Sequence, residues 1–443
     1  MEYILESEWD NLEGTDRLYK DLDELVSWKS TPPFHSAGRT GWQKLDRPLR
    51  VSGPRVFTSV KSLKLKGIGY CNEKFEVIPP TQKYFTRNFP HLGFSKNGRF
   101  CMVESDQAPL GGIEFGRAKM EYDIAKKLTE NGCPSVIPIR LYKYNQSFIT
   151  SKYDSNLAVV VTGLPVEHPF RADCAYRYES CLAANHPVNE LGSPKKLQSA
   201  EERAHVERLS KQLKLDTCAN VSLALISHFY EKYGQTLRKF HTLGFYRYSG
   251  SLDNFDYCAE TDVVYLIDLD SSRLLEECSD IEKPLQVIRD ISSAFFNLAG
   301  ALMDPWRISS FPISDVKDTS PFRSILKGYY SDVPDELIDT VITNYSTYYE
   351  GLHQQVSVHA REIIGEKDRD KQLAKWKPFW MNRKEVYSML MANIWFLHEK
   401  SSMSKLYPNL LNWERCIENI SEFTSQETAT KIRDSLTTLV DLL

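Results

Sequence analysis

The sequence lacks the short motifs by which metal sites and disulfide frameworks are usually recognised. Its 443 residues contain neither a Cys-x-x-Cys pair nor a His-Glu-x-x-His motif, and the nine cysteines are odd in number and irregularly spaced. Scattered cysteines of this kind are typical of reduced thiols in a reducing compartment. We therefore expect neither structural zinc nor a disulfide scaffold.

Long apolar runs and a strong net charge are also missing. The longest apolar stretches, such as Leu157 to Leu164, reach about half of the roughly 20 residues that a helix needs to cross a bilayer. Residues 1–10 carry acids and no basic region before an apolar run, which argues against a secretory signal. The 55 Lys and Arg against 59 Asp and Glu give a net charge of -4 and no global attraction to polyanions. We expect a cytoplasmic protein without a nucleic-acid or membrane partner.

The first part of the chain is predicted to be rich in strands. Residues 1–50 are polar and aromatic and are interrupted at Pro32-Pro33, which predicts an irregular N-terminal extension. Between residues 51 and 165, short apolar and alternating runs predict strands. One helix is predicted among them, over about 118–129, because apolar residues recur there at helical spacing.

The rest of the chain is predicted to be mainly helical. Residues 171–200 show no periodicity and predict a surface insertion. Beyond them, a strand-like passage covers 255–269, and helical patterns cover 200–214, 221–240, 285–303, 334–349, 383–398 and 427–442. The predicted fold class is therefore α+β. It has a small strand-rich lobe over 51–165, followed by a larger helical lobe over 166–443.

A lysine and a glutamate in the strand-rich part could act together. Lys66 ends an alternating run and is followed by Gly67 and Gly69, whereas Glu121 lies near the start of the predicted helix. Taken singly, each side chain is ordinarily a solvated surface charge. A strand lysine held by a helix glutamate, however, is the ion pair that presents an ammonium group to nucleotide phosphates.

A second group of polar residues surrounds an apolar strand in the helical part. Asp253 and Asn254 precede the run Val263 to Ile267, which delivers Asp268 and Asp270 at its end. Magnesium takes one or two carboxylates together with phosphate oxygens, and a further carboxylate can orient or deprotonate a hydroxyl group. The ordered set predicts phosphate chemistry, although Asp-Asn alone is commonly a turn and a strand-end Asp is commonly a helix cap.

The order of these features resembles the protein-kinase-like fold: strand Lys, helix Glu, hinge strand, long helix, Asp-Asn loop, and apolar strand ending in Asp. More narrowly, the run from Leu65 to Gly69 is similar to the Leu-Lys-Gly-Ala-Gly segment of the selenoprotein O family, whose pseudokinase-like members transfer AMP to proteins. As in that family, Glu121 precedes the glycine of a Gly-x-Pro turn by eleven residues, and Asp253 is directly followed by Asn254. Gly111, Gly112 and Arg117 stand where the family has a Gly-Asp-Gly-Arg stretch.

The resemblance covers about residues 63–270 and implies a role for each matched residue. Lys66, Glu121 and Asp253 would be catalytic, with Asp253 acting as a base or orienting the acceptor hydroxyl. ATP would be the nucleotide and Mg²⁺ the metal ion. The implied metal ligands are Asn254, Asp268 and, in reserve, Asp270. The implied nucleotide-binding residues are Lys66, Gly67, Gly69, Gly111, Gly112, Arg117 and Arg171.

Three functions stay open at this point. The first is the Mg²⁺- and ATP-dependent transfer of AMP to a protein hydroxyl. In the family, however, two arginines orient ATP, and only Arg171 stands near one of them, while Gly163 follows the hinge strand. The second is a phosphotransferase acting on a protein or small molecule; aligned with an ordinary kinase, Ser249 would replace the catalytic Asp. The third is a catalytically impaired scaffold, which a serine in place of the catalytic Asp would imply.

Overall fold

The structure is a computed structural model. It describes residues 1–33, 38–53, 55–72, 74, 76–80, 84–86, 91–103, 107–149, 154–180, 200–248, 250–305, 307–368, 370–372, 374–375, 383–408, 418, 422 and 425–440.

The first part of the chain folds around one antiparallel sheet. Its strands follow the order β1-β11-β12-β4-β3-β2, with β10 also paired to β12 and β5 to β4. Strands β6 and β9 form a small separate two-stranded sheet, and β7 and β8 form another. The strands are β1 (Tyr3–Glu8), β2 (Leu12–Glu13), β3 (Gly38–Val51), β4 (Ser59–Cys71), β5 (Val77–Ile78), β6 (Tyr84–Thr86), β7 (His91–Phe94), β8 (Phe100–Val103), β9 (Gln107–Pro109), β10 (Ile113–Glu114), β11 (Ile137–Ile149) and β12 (Asp154–Leu164).

Strand β4 presents lysines on one face and leucines on the other. Successive side chains of a strand point to opposite faces, so Lys64 and Lys66 share one face while Leu63 and Leu65 enter the main core behind it. Helix α2 (Phe115–Glu130) covers the lysine face and buries a small apolar cluster against β12, including Val160, the register partner of Lys66. The predicted helix over 118–129 is confirmed and is longer by a few residues at its start.

The described part of residues 1–50 is not irregular, so that prediction is wrong. Besides β1, β2 and β3, they form helix α1 (Asp16–Val26), and Tyr3 of β1 pairs with Tyr144 of β11. Buried Arg140 of β11 ties these segments together, since it lies 2.6 Å from Glu8 Oε2 and 3.2 Å from Asp23 Oδ1. The pairing was missed because the partners of β1 lie far away in sequence. The domain boundaries themselves remain a prediction.

The second part of the chain is largely helical, as predicted. The α+β class and the order of a strand-rich part followed by a helical part are confirmed. The helices are α3 (Asp173–Ser180), α4 (Ala200–Gln212), α5 (Val221–Thr242), α6 (Glu282–Leu302), α7 (Ile313–Thr319), α8 (Pro321–Tyr329), α9 (Asp335–Gly365), α10 (Arg383–Lys400), α11 (Met403–Leu406) and α12 (Gln426–Val440). The short strands between them are β13 (Phe245–Arg247), β14 (Phe255–Cys258), β15 (Val263–Leu266) and β16 (Ser272–Leu274).

Three predicted boundaries in this part need correction. The strand-like passage over 255–269 is a hairpin of β14 and β15, because Asp262 adopts a left-handed conformation, with φ of 52°, just before β15. Helix α9 extends to Gly365 and not to 349. The described start of the predicted insertion forms α3, and residues 181–199 lie outside the described residues.

Helices α5 and α8 cross at unusually close range through two glycines. A Cβ at Gly234 would lie closer to the backbone carbonyl of Ile325 than real Cβ atoms approach, and one at Gly328 would do the same at Glu231. Helix α5 also lies beside the β14–β15 hairpin, where the Tyr233 and Phe255 rings stack at 4.3 Å. Of the helices in the described ranges, none is both long and apolar enough to cross a membrane.

Candidate functional site

Buried charges meet where strand β4, helix α2 and the turn after β15 come together. Lys66 Nζ lies 2.8 Å from Glu121 Oε2 and 2.7 Å from Asp270 Oδ1. The same ammonium group lies 3.3 Å from Asp268 Oδ1. Lys66 and Glu121 are almost completely buried, whereas the Asp268 side chain keeps 22% of its surface exposed. Four residues predicted from widely separated parts of the sequence therefore lie in one cluster.

The backbone conformation of the turn after β15 places Asp268 and Asp270 beside Lys66. Asp268 directly follows Ile267, whose N–H is bonded to the Asn254 carbonyl at 3.1 Å. Asp268 itself adopts the left-handed conformation, with φ of 53°, and so turns the chain sharply into the short 3₁₀ helix Leu269–Ser271. Aspartate tolerates this region better than most residues. The turn brings Asp268 and Asp270 to the same ammonium group.

Two basic residues that we did not predict complete the cluster. Lys64 Nζ contacts Asp268 Oδ1 and lies 3.6 Å from Glu121 Oε1. Arg39 of β3 lies 3.7 Å from Asp270 Oδ2. The alternation of β4 could have identified Lys64, because residues two apart share a face of a strand. Arg39 gave no such signal, since its strand was predicted to be irregular.

Arg171 joins this cluster to the Asp-Asn turn. Its Nη1 donates to the backbone carbonyl of Asp253 at 2.7 Å and lies 3.6 Å from Asp268 Oδ2. Arg171 has a positive φ of 60°, and the next N–H, that of Ala172, bonds to the Phe255 carbonyl at 3.1 Å. The segment after β12 is thus fixed against the turn that precedes β14.

Asp253 and Asn254 belong to the short 3₁₀ helix Leu252–Asn254 at the rim of the cluster. The Asp253 side chain is exposed and Asn254 is partly buried. The hydrogen bond from Ile267 N to Asn254 O makes this turn a direct neighbour of Asp268. Ser249, which would replace the catalytic Asp in the ordinary-kinase alignment, lies outside the described residues.

A buried polar network supports the turn from the helical side. Asp290 of α6 accepts from the Arg247 N–H at 2.6 Å, and its carboxylate lies 3.0 Å from His241 Nε2. Arg289 donates to the Arg247 carbonyl at 2.7 Å, and the Arg247 guanidinium reaches the Ile267 carbonyl at 3.1 Å. His241 is buried and lies within hydrogen-bonding distance of Tyr329 and Asp290. Asp290 was missed because it lies inside an otherwise ordinary helical pattern.

Lys66, Asp268 and Asp270 keep their charges at neutral pH. Burial alone lowers the pKa of Lys66, but the carboxylates of Asp270, Glu121 and Asp268 outweigh burial and raise that pKa above its ordinary value. In the same way burial raises the pKa of Asp268, and Lys64, Lys66 and Arg171 together bring it well below its usual range. The Asp270 pKa is lowered despite burial by Lys66 and Arg39. The pairs are therefore ionic.

The predicted glycines have close packing partners within the sheet. Gly67 has a φ of 89°, and a Cβ there would collide with the Ala158 carbonyl of β12. A Cβ at Gly111 would lie 2.8 Å from the Tyr70 backbone nitrogen. Such contacts account for glycine at these positions without a ligand. Two further glycines of the set pack in the same way, Gly69 against β5 and Gly112 against Leu157.

Arg117 occupies the first turn of α2. Its Nε lies 3.7 Å from Glu114 Oε2, and both side chains are partly exposed. This places Arg117 one helical turn before Glu121, at the edge of the buried cluster. Its predicted contact with a nucleotide stays a prediction.

The donor set suits a magnesium ion that arrives with phosphate groups. Within the described ranges, no group of three or more His, Cys, Asp or Glu side chains is arranged to hold a metal ion by itself. Asp268 and Asp270 nevertheless offer hard carboxylate oxygens in one short turn, and Asn254 lies beside them. Magnesium is commonly held by one or two carboxylates plus substrate phosphates, so these residues fit the ion in that form.

The charges of the cluster favour a polyanion. Ion pairs among the described residues join four cationic side chains to three carboxylates. The excess of positive charge lies in a largely dry environment, where electrostatic attraction is strong. The cationic members are Arg39, Lys64, Lys66 and Arg171.

Comparison with known proteins gives only distant similarities. The chain matches no protein-family model and no curated protein. It is similar to a solved structure described as WaaP in complex with acyl carrier protein, at 12% identity and a TM-score of 0.34, over 81% of this chain and 100% of that chain. It is also similar to the ROP18 kinase domain in complex with AMP-PNP and sucrose, at 9% identity and a TM-score of 0.27, over 77% of this chain and 93% of that chain. We therefore base the function on the geometry of this chain.

Proposed function

We propose that this protein is an ATP- and Mg²⁺-dependent transferase with a protein-kinase-like arrangement of its two parts. The observation that carries the proposal is the buried ion pair of Lys66 and Glu121, which is joined by Asp268 and Asp270 from the turn after β15. A buried lysine tends to lose its charge unless carboxylates hold it. A site that keeps several buried charges beside a partly exposed aspartate is suited to bind phosphate groups and a metal ion.

Different residues of the cluster bind the phosphates, bind the metal ion and orient the acceptor. Lys66, fixed by Glu121, holds the phosphates of ATP, and Asp268 and Asp270 with Asn254 hold Mg²⁺. The metal ion, when bound, neutralises phosphate charge and stabilises the charge that develops during transfer. Asp253 is exposed next to the cluster, so its carboxylate can accept a hydrogen bond from the acceptor hydroxyl and take up its proton.

We further propose that the transferred group is AMP and that the acceptor is a protein hydroxyl. Arg171 supports this proposal, because it links the Asp253 turn to Asp268 and adds a cation beside that carboxylate. The acceptor oxygen attacks the α-phosphorus, the bond from that phosphorus to the β-phosphate oxygen breaks, and pyrophosphate leaves. The hydroxyl proton passes to Asp253 and then to water. Phosphate transfer to a protein or small molecule is the second candidate, since the same cluster can hold ATP in the opposite direction.

Separately labelled ATP distinguishes the two transfers. The protein is incubated with Mg²⁺ and ATP labelled at the α- or the γ-phosphate. The labelled protein is then separated from the free nucleotide products, and both fractions are analysed. Label from the α-phosphate on protein, with pyrophosphate released, is the expected result. Label from the γ-phosphate alone, with ADP released, would replace AMP transfer by kinase activity.

Two variants test whether the measured activity comes from this site. Asp253→Asn and Asp268→Asn each keep side-chain size and remove a carboxylate, and both should reduce transfer by about a hundredfold or more. Glu260→Gln, which alters an exposed glutamate paired with Lys61, is the matched control and should stay active. A fully active Asp268→Asn protein would contradict the metal assignment. Nucleotide binding without any product would favour the scaffold function.

A further inference from the structure

Lys64 lies in the cluster without being needed for the pair of Lys66 and Glu121. Its side chain is only 6% exposed, although lysine side chains are rarely buried. It shares the strand face of Lys66 because the two residues are separated by one position in β4. Glu121 uses Oε2 for Lys66, while Oε1 lies 3.6 Å from Lys64. One buried carboxylate therefore lies between two ammonium groups.

The closest partner of Lys64 is Asp268, the most exposed carboxylate of the cluster. Lys64 contacts Asp268 Oδ1, the oxygen that Lys66 also approaches at 3.3 Å, and Arg171 lies 3.6 Å from Oδ2. Every side-chain oxygen of Asp268 thus has a cation beside it. A free divalent cation that approached Asp268 would meet these positive charges at close range, which opposes its binding.

We propose that Lys64 is a second phosphate-binding lysine that occupies Asp268 until a nucleoside triphosphate arrives. Negative phosphates near β4 give the Lys64 ammonium group an alternative partner, so that Asp268 becomes available to a metal ion. Nucleotide and metal then bind together, and the metal alone binds weakly. This inference rests on the proposed ATP site and assigns to Lys64 a role in its regulation.

Lys64→Met tests both halves of the proposal by binding and not by turnover. Methionine keeps an unbranched side chain of similar length without the charge. Titration with AMP-PNP in EDTA should show affinity about tenfold weaker than that of the unaltered protein, as expected for one lost charged hydrogen bond. Titration with Mn²⁺ alone should show affinity at least about fivefold tighter, because Asp268 has lost the nearest of its three cations. Lys61→Met, on the same strand but paired with exposed Glu260, should change neither value.

A second pair of variants keeps the test valid if Lys64→Met folds poorly, which circular dichroism and thermal unfolding would show. Asp268→Asn frees Lys64 for phosphate, so its AMP-PNP affinity in EDTA should rise. The double variant Lys64→Met/Asp268→Asn should lose that gain. An equal gain in the double variant, or unchanged AMP-PNP and Mn²⁺ affinities in folded Lys64→Met, would overturn the role of Lys64.

The same titrations separate this inference from the function on which it rests. If the unaltered protein binds AMP-PNP with Mg²⁺ and Lys64→Met behaves identically, only the role of Lys64 is refuted. If the unaltered protein binds no AMP-PNP with or without Mg²⁺, the proposed ATP site is refuted and the role of Lys64 with it.

Discussion

Glu121 is the carboxylate on which two buried ammonium groups depend. Replacing it by Gln leaves Lys64 and Lys66 in a dry site with one charge partner fewer. Removing one member of a buried ion pair costs about 3 kcal/mol or more. We expect Glu121→Gln to lower the free energy of unfolding in urea by about that amount.

The same helix provides a matched control. Asp123→Asn breaks the exposed pair of Lys119 and Asp123, and exposed pairs of this spacing contribute less than about 1 kcal/mol. The double variant Lys66→Met/Glu121→Gln should recover part of the lost stability, because it removes one of the uncompensated charges. Equal effects of Glu121→Gln and Asp123→Asn would show that the cluster is not the buried ionic unit described above.

His398 makes folding sensitive to mildly acidic pH. Burial, together with nearby His241, lowers its pKa from 6.5 to about 4, although Nε2 donates to the Tyr407 carbonyl at 3.1 Å. At pH values between the unfolded-state pKa of 6.5 and the folded-state pKa of about 4, His398 binds more protons in the unfolded chain than in the folded chain. The free energy of unfolding therefore falls as pH falls from about 6.5 to 4, by at most about 3 kcal/mol from this residue.

Urea unfolding measured at several pH values checks the role of His398. His398→Gln retains a donor for the Tyr407 carbonyl and has no titrating group, so the acid-induced loss should be smaller in this variant. His359→Gln, which removes a histidine whose side chain is 51% exposed, serves as the surface control. An unaltered slope in His398→Gln would assign the loss to other groups.

The predicted site residues differ in how they could be found. Lys66, Glu121, Asp268 and Asp270 were identified because each residue type suits phosphate chemistry and occurs in the right order along the chain. Nothing in that order indicated that Lys64 would contact Asp268, since this contact depends on how β4 meets the turn after β15. Arg39, Arg289 and Asp290 were missed because the contacts that join them to the site are made with residues of other elements, Asp270 for Arg39, and Arg247 for the other two.

The crossing of α5 and α8 depends on the absence of a side chain at Gly328. A Cβ there would overlap the Glu231 carbonyl, which belongs to the backbone of α5 and cannot move without shifting the helix. Overpacking of this kind costs about 1–3 kcal/mol. We expect Gly328→Ala to destabilise the protein by an amount in the upper part of that range, as measured by thermal or urea unfolding.

Gly351 in the exposed part of α9 is the control for this substitution. A Cβ there would have no neighbour within 4 Å, so Gly351→Ala should raise stability by up to about 1 kcal/mol through helix propensity alone. If both alanine variants were stabilising, the close crossing would not exist as described.

Helices were easier to predict than strands in this chain. Helices α2 and α5 repeat apolar residues at helical spacing, and that pattern is contained within each segment. Strand β3 pairs with β4 through register shifts between Lys44 and Leu49, which blur the alternation expected of a strand. The hairpin of β14 and β15 was read as one strand because the turn at Asp262 has no glycine or proline.

The cluster connects elements from both parts of the chain, so a ligand bound there should stabilise the protein as one unit. A ligand at about 100 times its dissociation constant stabilises the folded state by about 2.7 kcal/mol. We expect AMP-PNP with Mg²⁺ to shift the whole thermal unfolding transition upwards, without splitting it. Asp268→Asn should show little of the Mg²⁺-dependent part of the shift. A shift equal in both proteins would place the ligand elsewhere.

The pairing of β1 with β11 also bears on how the chain is made. Tyr3 is translated well before its partner Tyr144, which follows only after most of the sheet has been translated. Until then β1 lacks its neighbour, and such long-range pairing slows folding. The sheet is thus completed late during synthesis, and a ribosome that stalls before Tyr144 would hold β1 without a partner strand.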